Sequence, residues 1–244
     1  MRELGVINLS RALVLWDVDH TLIENGGVSK ETYAEAFRLL TGEVAKERPQ
    51  TDGRTDPVIM RDLFASNGVE FTELHDRELF GALIEAGAAN REELRRRGHA
   101  LPGAEEVLRC LAEDATVVQS VLTGNIVQNA RGKLEPFGLD KYLDFEVGGF
   151  GSDHRDRPQL VGVAQARATG KYGVEFQRSN TFIVGDTVRD VNAGVNGGAQ
   201  VIGVATGIDS IEALRQAGAD AVLAGLTDVE VFLAALRKLR ETAT

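Results

Sequence analysis

From about residue 104 to residue 240 the chain alternates short apolar runs with longer stretches of helical periodicity, and this alternation leaves few folds open. The runs Thr116–Leu122, Leu143–Val147, Thr181–Val184, Gln200–Val204 and Ala221–Leu223 read as buried strands. Helical patterns occupy Ala104–Ala112, Ile126–Pro136, Gln159–Lys171, Thr187–Asn196, Ile211–Ala217 and Val229–Arg240. Strand, helix and strand in succession require right-handed crossovers, hence a parallel sheet with helices on both faces. Leu13-Val14-Leu15-Trp16, a further apolar run that stops abruptly at Asp17, belongs to the same sheet. The expected class is α/β, a doubly wound parallel sheet of Rossmann-like form.

The stretch between that first strand and Pro102-Gly103 follows a different pattern. Glu24–Gly27 is a polar turn, Ser29 caps a helix running to about Leu40, and Gly42 lies just past its end. Thr55 with Pro57 starts a second helix that Gly68 stops, and a third helical region covers about Phe71 to Arg97 with Gly87 as a point of interruption. From about Asn25 to His99 no strand is expected. The chain therefore divides into a core of residues 1–23 and 103–244 and an all-helical insertion of residues 24–102.

Composition narrows the function classes. Lys and Arg total 27 against 37 Asp and Glu, a formal charge of −10, so a basic nucleic-acid surface is not expected. No apolar run approaches the roughly 20 residues that cross a bilayer, and Met1 to Arg11 lacks the apolar region of a secretory leader. Cys110 is the single cysteine, which excludes an intrachain disulfide and fits a reducing cytoplasm.

Ligands of an open parallel sheet bind at the carboxyl ends of its strands. The first strand ends in Asp17-Val18-Asp19-His20-Thr21, the run to Leu122 in Thr123-Gly124-Asn125, and Ile183-Val184 in Gly185-Asp186 with Asp190 four residues on. Arg155 and Arg157-Pro158 follow the glycine-rich loop after Val147. All of these should meet on one rim. Such residues suit phosphoryl transfer: a carboxylate forms a covalent phosphoryl intermediate, and a divalent cation offsets acidic groups that would otherwise repel the anionic substrate.

Asp17-x-Asp19-x-Thr21, Thr123, a basic residue near Arg157 and Gly185-Asp186-x-x-x-Asp190 resemble, in order and spacing, the four motifs of the haloacid dehalogenase superfamily of phosphohydrolases. The resemblance spans nearly the whole chain, and the insertion looks like that family's small helical cap. It points to the phosphoglycolate phosphatase and β-phosphoglucomutase-like subgroup. It implies Asp17 as nucleophile, and Mg²⁺ held by the Asp17 and Asp186 side chains and the Asp19 main-chain carbonyl, with Asp190 steadying the site. Asp19 is the expected general acid and then base, which calls for a carboxyl whose pKa is raised by burial near Asp17. Thr123, Gly124 and Asn125 face the phosphate, although Asn125 also reads as a helix N-cap. The family usually carries Lys where this chain has Arg157-Pro158; Arg157 takes that place first, with Arg155 or Lys171 as the other readings. His20 stands where a small residue is usual.

The loop Thr51–Thr55 corresponds to the segment that reaches the leaving group in capped members. Arg54 would there pair with an anionic group of the substrate; alternatively Thr55 is only an N-cap and Arg54 is solvated. The expected enzyme is a Mg²⁺-dependent phosphatase of a small phosphorylated metabolite. A phosphomutase of the β-phosphoglucomutase type shares the core motifs, and a non-phosphatase hydrolase or a binding protein could use the same fold. Dehalogenase chemistry is disfavoured, because it needs no metal and normally lacks the second aspartate present here as Asp19. A receiver domain is about half this length and lacks the insertion.

Overall fold

A computed structural model describes residues 11–242. Residues 1–10, which carry most of the reading against a leader, lie outside the described residues, as do residues 243 and 244.

Strand β1 (Ala12–Trp16) is buried at every position, and its side chains alternate between two apolar layers. A two-residue strand, β2 (Ile23–Glu24), leads into α1 (Val28–Thr41), α2 (Asp56–Ser66), α3 (Glu73–Ala89) and α4 (Arg91–Arg97). The chain returns through β3 (His99–Ala100), which pairs antiparallel with β2 and brings the two ends of the helical insertion together. That ribbon was not expected from the apolar pattern, since two residues are too few to show a period. Helix α1 starts at Val28 behind Gly27, whose φ of 82° is left-handed; Ser29 is therefore inside the first turn and not its cap. Helix α3 passes through Gly87 without a break. A Cβ at that position would overlap the Asn129 side chain, so the glycine serves close packing.

The second part of the chain supplies α5 (Ala104–Ala112), β4 (Val117–Thr123), α6 (Val127–Leu134), β5 (Gly149–Phe150), α7 (Arg157–Tyr172), β6 (Thr181–Gly185), α8 (Val188–Gly197), β7 (Gln200–Val204), α9 (Ile211–Gln216), β8 (Ala221–Leu223) and α10 (Val229–Thr242). The strands form one parallel sheet in the order β5-β4-β1-β6-β7-β8. The expected strand at Leu143–Val147 is instead occupied by 3₁₀ turns, and β5 lies just beyond it. Phe145 and Val147, two residues apart, fall in opposite layers where a strand would put both in one, because the Asp144 side chain accepts the Glu146 amide and curls the backbone.

One layer packs Val14 and Trp16 against α5 and α10, with the Trp16 ring stacked on Phe232 at 5.4 Å. The other packs Leu13 and Leu15 against Leu160, Val161 and Ala164 of α7 and Val191 of α8. A third cluster fills the insertion around Phe37, Phe64 and Leu83, and it includes Ile126 from the start of α6. β1 lies between β4 and β6, and the crevice at this reversal of strand order opens at their carboxyl ends. Among the described residues no helix is long and apolar enough to cross a membrane.

Candidate active site

Asp17 leaves the end of β1, Thr123 ends β4, Asp186 follows β6, and Arg157 opens α7; all four line one cavity of about 40 Å³. Arg157 is buried and donates to Asp17 Oδ1 at 2.6 Å, to Asp190 Oδ1, and to the Leu122 carbonyl at 3.3 Å. Pro158 sits at the start of α7, where a missing amide costs nothing, and so fixes the turn from which Arg157 projects. Arg155, two residues earlier, is exposed and pairs with Asp76 at 3.1 Å. Lys171 pairs with Asp144 and Glu146 on the surface. The guanidinium brought to Asp17 is therefore that of Arg157.

Asp17, Asp186 and Asp190 are buried, and each places a carboxylate oxygen within 4.8 Å of the others. Burial, helped by the charge of Asp190 and opposed by Arg157, pushes the Asp17 carboxyl up to about 7. Burial and the charges of Asp190 and Asp17 push Asp186 up to about 9. Burial works against the Arg157 charge, but Asp190 and Asp17 more than offset it and raise its pKa.

These residues fit a hard divalent cation. Thr21 donates to Asp186 Oδ1 at 3.1 Å, while the buried Oδ2 has no hydrogen-bond partner among the described residues. A Cβ at residue 207 would overlap that oxygen, so Gly207 leaves its position clear. An orphaned carboxylate oxygen beside two further carboxylates costs several kcal/mol unless a cation or a proton joins it, roughly 1–3 per unmet bond. Asp190 is differently placed. Its Oδ2 accepts the Thr187 amide at 2.9 Å and hydroxyl at 2.6 Å, and its Oδ1 accepts from Arg157, so its side chain already holds α8 and the guanidinium.

Asp19 lines the same cavity but stands apart from the acidic trio. Its carboxylate accepts Lys133 Nζ at 2.5 Å, Asn25 Nδ2 at 2.8 Å and Ser29 Oγ at 3.3 Å. Burial would raise its pKa, yet Lys133 and these hydrogen bonds prevail and the net shift is downward. This corrects the expectation of a raised carboxyl at Asp19: the resting side chain is ionised at neutral pH. Lys133, which also donates to Asn125 Oδ1 at 2.9 Å, was missed by sequence reasoning. The available signal was its spacing, since Ile126, Asn129 and Lys133 fall on one helical face of α6 that turns toward the insertion.

The insertion completes the cavity through residues 51–54. Arg54 lines it, but its guanidinium pairs with Asp62 of α2, which is neither the solvated state nor a free cation. Thr55 precedes α2 without capping it; its hydroxyl donates to the Arg155 carbonyl at 3.0 Å. Backbones meet here: the Asp56 amide donates to the Gly124 carbonyl at 2.7 Å, and a Cβ at Gly124 would collide with the Arg54 carbonyl. Asn125 does not cap α6. The Asp56 carboxylate, fully buried, accepts Tyr33 Oη at 2.6 Å, Asn125 Nδ2 at 3.0 Å and the Ile126 amide at 2.8 Å. His20 has a left-handed φ of 61°, the only non-glycine residue so disposed among those described, and its ring pairs with Glu24 at 2.9 Å.

Comparison with known proteins matches residues 14–194 to the family model of haloacid dehalogenase-like hydrolases. "Probable phosphatase IndB" of Dickeya dadantii is 24% identical over 232 residues, covering 94% of this chain and 96% of its own. Two solved structures share the fold. A hydrolase from Pseudomonas syringae superposes with a TM-score of 0.64 at 21% identity, covering 92% of this chain and 98% of that one. A predicted phosphoglycolate phosphatase from Haemophilus somnus superposes with a TM-score of 0.67 at 17% identity, covering 93% and 99%.

Proposed function

The chain belongs to the haloacid dehalogenase-like hydrolase family, and on that footing we propose that it is a Mg²⁺-dependent phosphatase of a small phosphorylated metabolite. The observation that carries this reading is the buried trio Asp17, Asp186 and Asp190 with Arg157 between two of its members. Nothing in folding calls for such a group, and it suits a trianionic transition state once a cation joins it.

In this reading Asp17 Oδ attacks phosphorus, the bond from phosphorus to the leaving oxygen breaks, and an aspartyl phosphate forms. Water then displaces Asp17 and inorganic phosphate leaves. Arg157 orients Asp17 and offsets charge on the transferring group, and Asp190 holds Arg157 in place. The Thr123 hydroxyl, with the neighbouring turn through Gly124 and Asn125, lines the phosphate position. Asp17, Asp186 and the Asp19 main-chain carbonyl, with Asp190 beside them, would hold Mg²⁺, which would supply positive charge to the phosphoryl group. Asp19 is ionised at rest, so the proton for the leaving oxygen comes from Lys133 Nζ by way of the Asp19 carboxylate, and the attacking water returns a proton by the same route in the second step. Residues 24–102 act as a cap that excludes water while the bond is made.

The test is release of inorganic phosphate from a panel of phosphorylated metabolites, with Mg²⁺ and with excess chelator. Phosphate release that needs the metal supports the reading. Isomerised substrate without released phosphate identifies a mutase, and full activity in chelator rejects the metal.

A further inference from the structure

A second cavity, of about 150 Å³, lies between α1, α3, α4 and α6. Val28, Ile84, Ala88 and Leu94 give it a mostly apolar wall, with Thr32 and Gly132 among its other lining residues. It adjoins the reaction cavity. Ser29 lines both, and Lys133, which lines the second, reaches Asp19 and Asn125, which line the first. Ser29 and the Lys133–Asp19 pair form the partition between the two cavities, so a leaving group that passes Asp19 on this side enters the second cavity by turning the flexible Lys133 side chain aside.

The charges along this path restrict what can follow. Every Arg and Lys lining either cavity already has a carboxylate: Arg157 has Asp17 and Asp190, Lys133 has Asp19, Arg54 has Asp62, and Arg91 has Glu135. No Asp or Glu lines the second cavity. The second cavity therefore offers a carboxylate or second phosphate no unpaired cation, whereas an apolar body matches its wall and needs none. A space of this volume takes about one six-membered ring.

We propose that the leaving group is an uncharged alcohol with an apolar body about the size of a benzene ring, seated in the cavity between α1, α3, α4 and α6. This rests on the phosphatase reading and names its substrate class. It replaces the anionic leaving group that Arg54 was expected to select.

The experiment compares benzyl phosphate, phosphoglycolate and acetyl phosphate in the full chain and in Gly132→Leu and Gly132→Ala. Both esters release an alcohol, so their difference reports charge and shape. Gly132 lies within α6 with open space where its Cβ would be, so the added side chains fill the cavity with little disturbance of the helix. The expected result is a kcat/KM for benzyl phosphate more than about tenfold above that for phosphoglycolate. Gly132→Leu should lower the ratio of benzyl phosphate to acetyl phosphate by about tenfold or more, and Gly132→Ala by less. A preference for phosphoglycolate, or an unchanged ratio in both variants, overturns the proposal while leaving the phosphatase reading intact. So does a selective loss in Ile208→Ala alone, which would place the leaving group over the exposed rim of the reaction cavity. Phosphate release from other members of the metabolite panel but not from benzyl phosphate overturns the proposal alone, and no release from any of them overturns both.

Discussion

Lys133 Nζ lies 2.5 Å from Asp19 Oδ2, joining two residues 114 positions apart in the chain. Their side chains are largely buried, at 12% and 25% exposure, so each is the other's main charge partner. Lys133→Met is expected to slow phosphate release about a hundredfold, the usual scale for a disrupted proton-transfer group. Lys133→Arg should recover part of the rate. In a double-mutant cycle with Asp19→Asn, the second substitution should add little to the first. Additive losses would separate the two residues functionally.

Asp17→Asn keeps shape while removing the attacking charge. Turnover should fall below about a hundredth of the native rate, with thermal unfolding unimpaired. A larger residual activity on a folded variant would reject Asp17 as nucleophile.

Arg157→Ala should lower the chemical step by about 3 kcal/mol, close to a hundredfold. Arg155→Ala should change it less than about threefold, because its guanidinium is exposed and turned to Asp76. Steady-state rates of the two variants on one substrate decide this. Comparable losses would mean that Arg155 also reaches the phosphoryl group during turnover.

Asp17 and Asp186 bind protons more tightly folded than unfolded, at about 7 and 9 against 3.8. Between those values the folded chain holds more protons than the unfolded one, so metal-free stability falls as pH rises from about 4 to about 9. Mg²⁺ competes with those protons. It should therefore raise Tm more at pH 8.5 than at pH 6, measured against the same protein in chelator. An increment that is equal at both pH values, or larger at pH 6, would place the metal away from these carboxylates.

The core was legible because each of its signals is local. Leu13–Trp16 is apolar and stops at Asp17, and the same pattern of apolar run and polar end recurs at Thr123 and Asp186. Arg157 could be chosen over Arg155 only weakly from its proline, and the structure brings Arg157 to Asp17 because α7 starts there. The partners that the insertion lends to the site were hidden. Asp56 before Pro57 reads as an ordinary helix start, and only tertiary contact brings it to Tyr33, Asn125 and Ile126. Leu143–Val147 misled for the opposite reason: its apolar alternation is genuine, but a single Asp144 hydrogen bond turned the backbone away from extension.

Helix α6 begins after Ile126, a residue whose side chain cannot cap it, and the Ile126 amide itself donates to Asp56 of the insertion at 2.8 Å. The turn carrying Thr123 is thereby finished by the same contact that seats the insertion on the core. Asp56 is a single anchor with several dependents: losing its carboxylate would deprive the Ile126 amide, the Tyr33 hydroxyl and the Asn125 side-chain amide of their shared buried acceptor at once, loosening the insertion and the turn after β4 together.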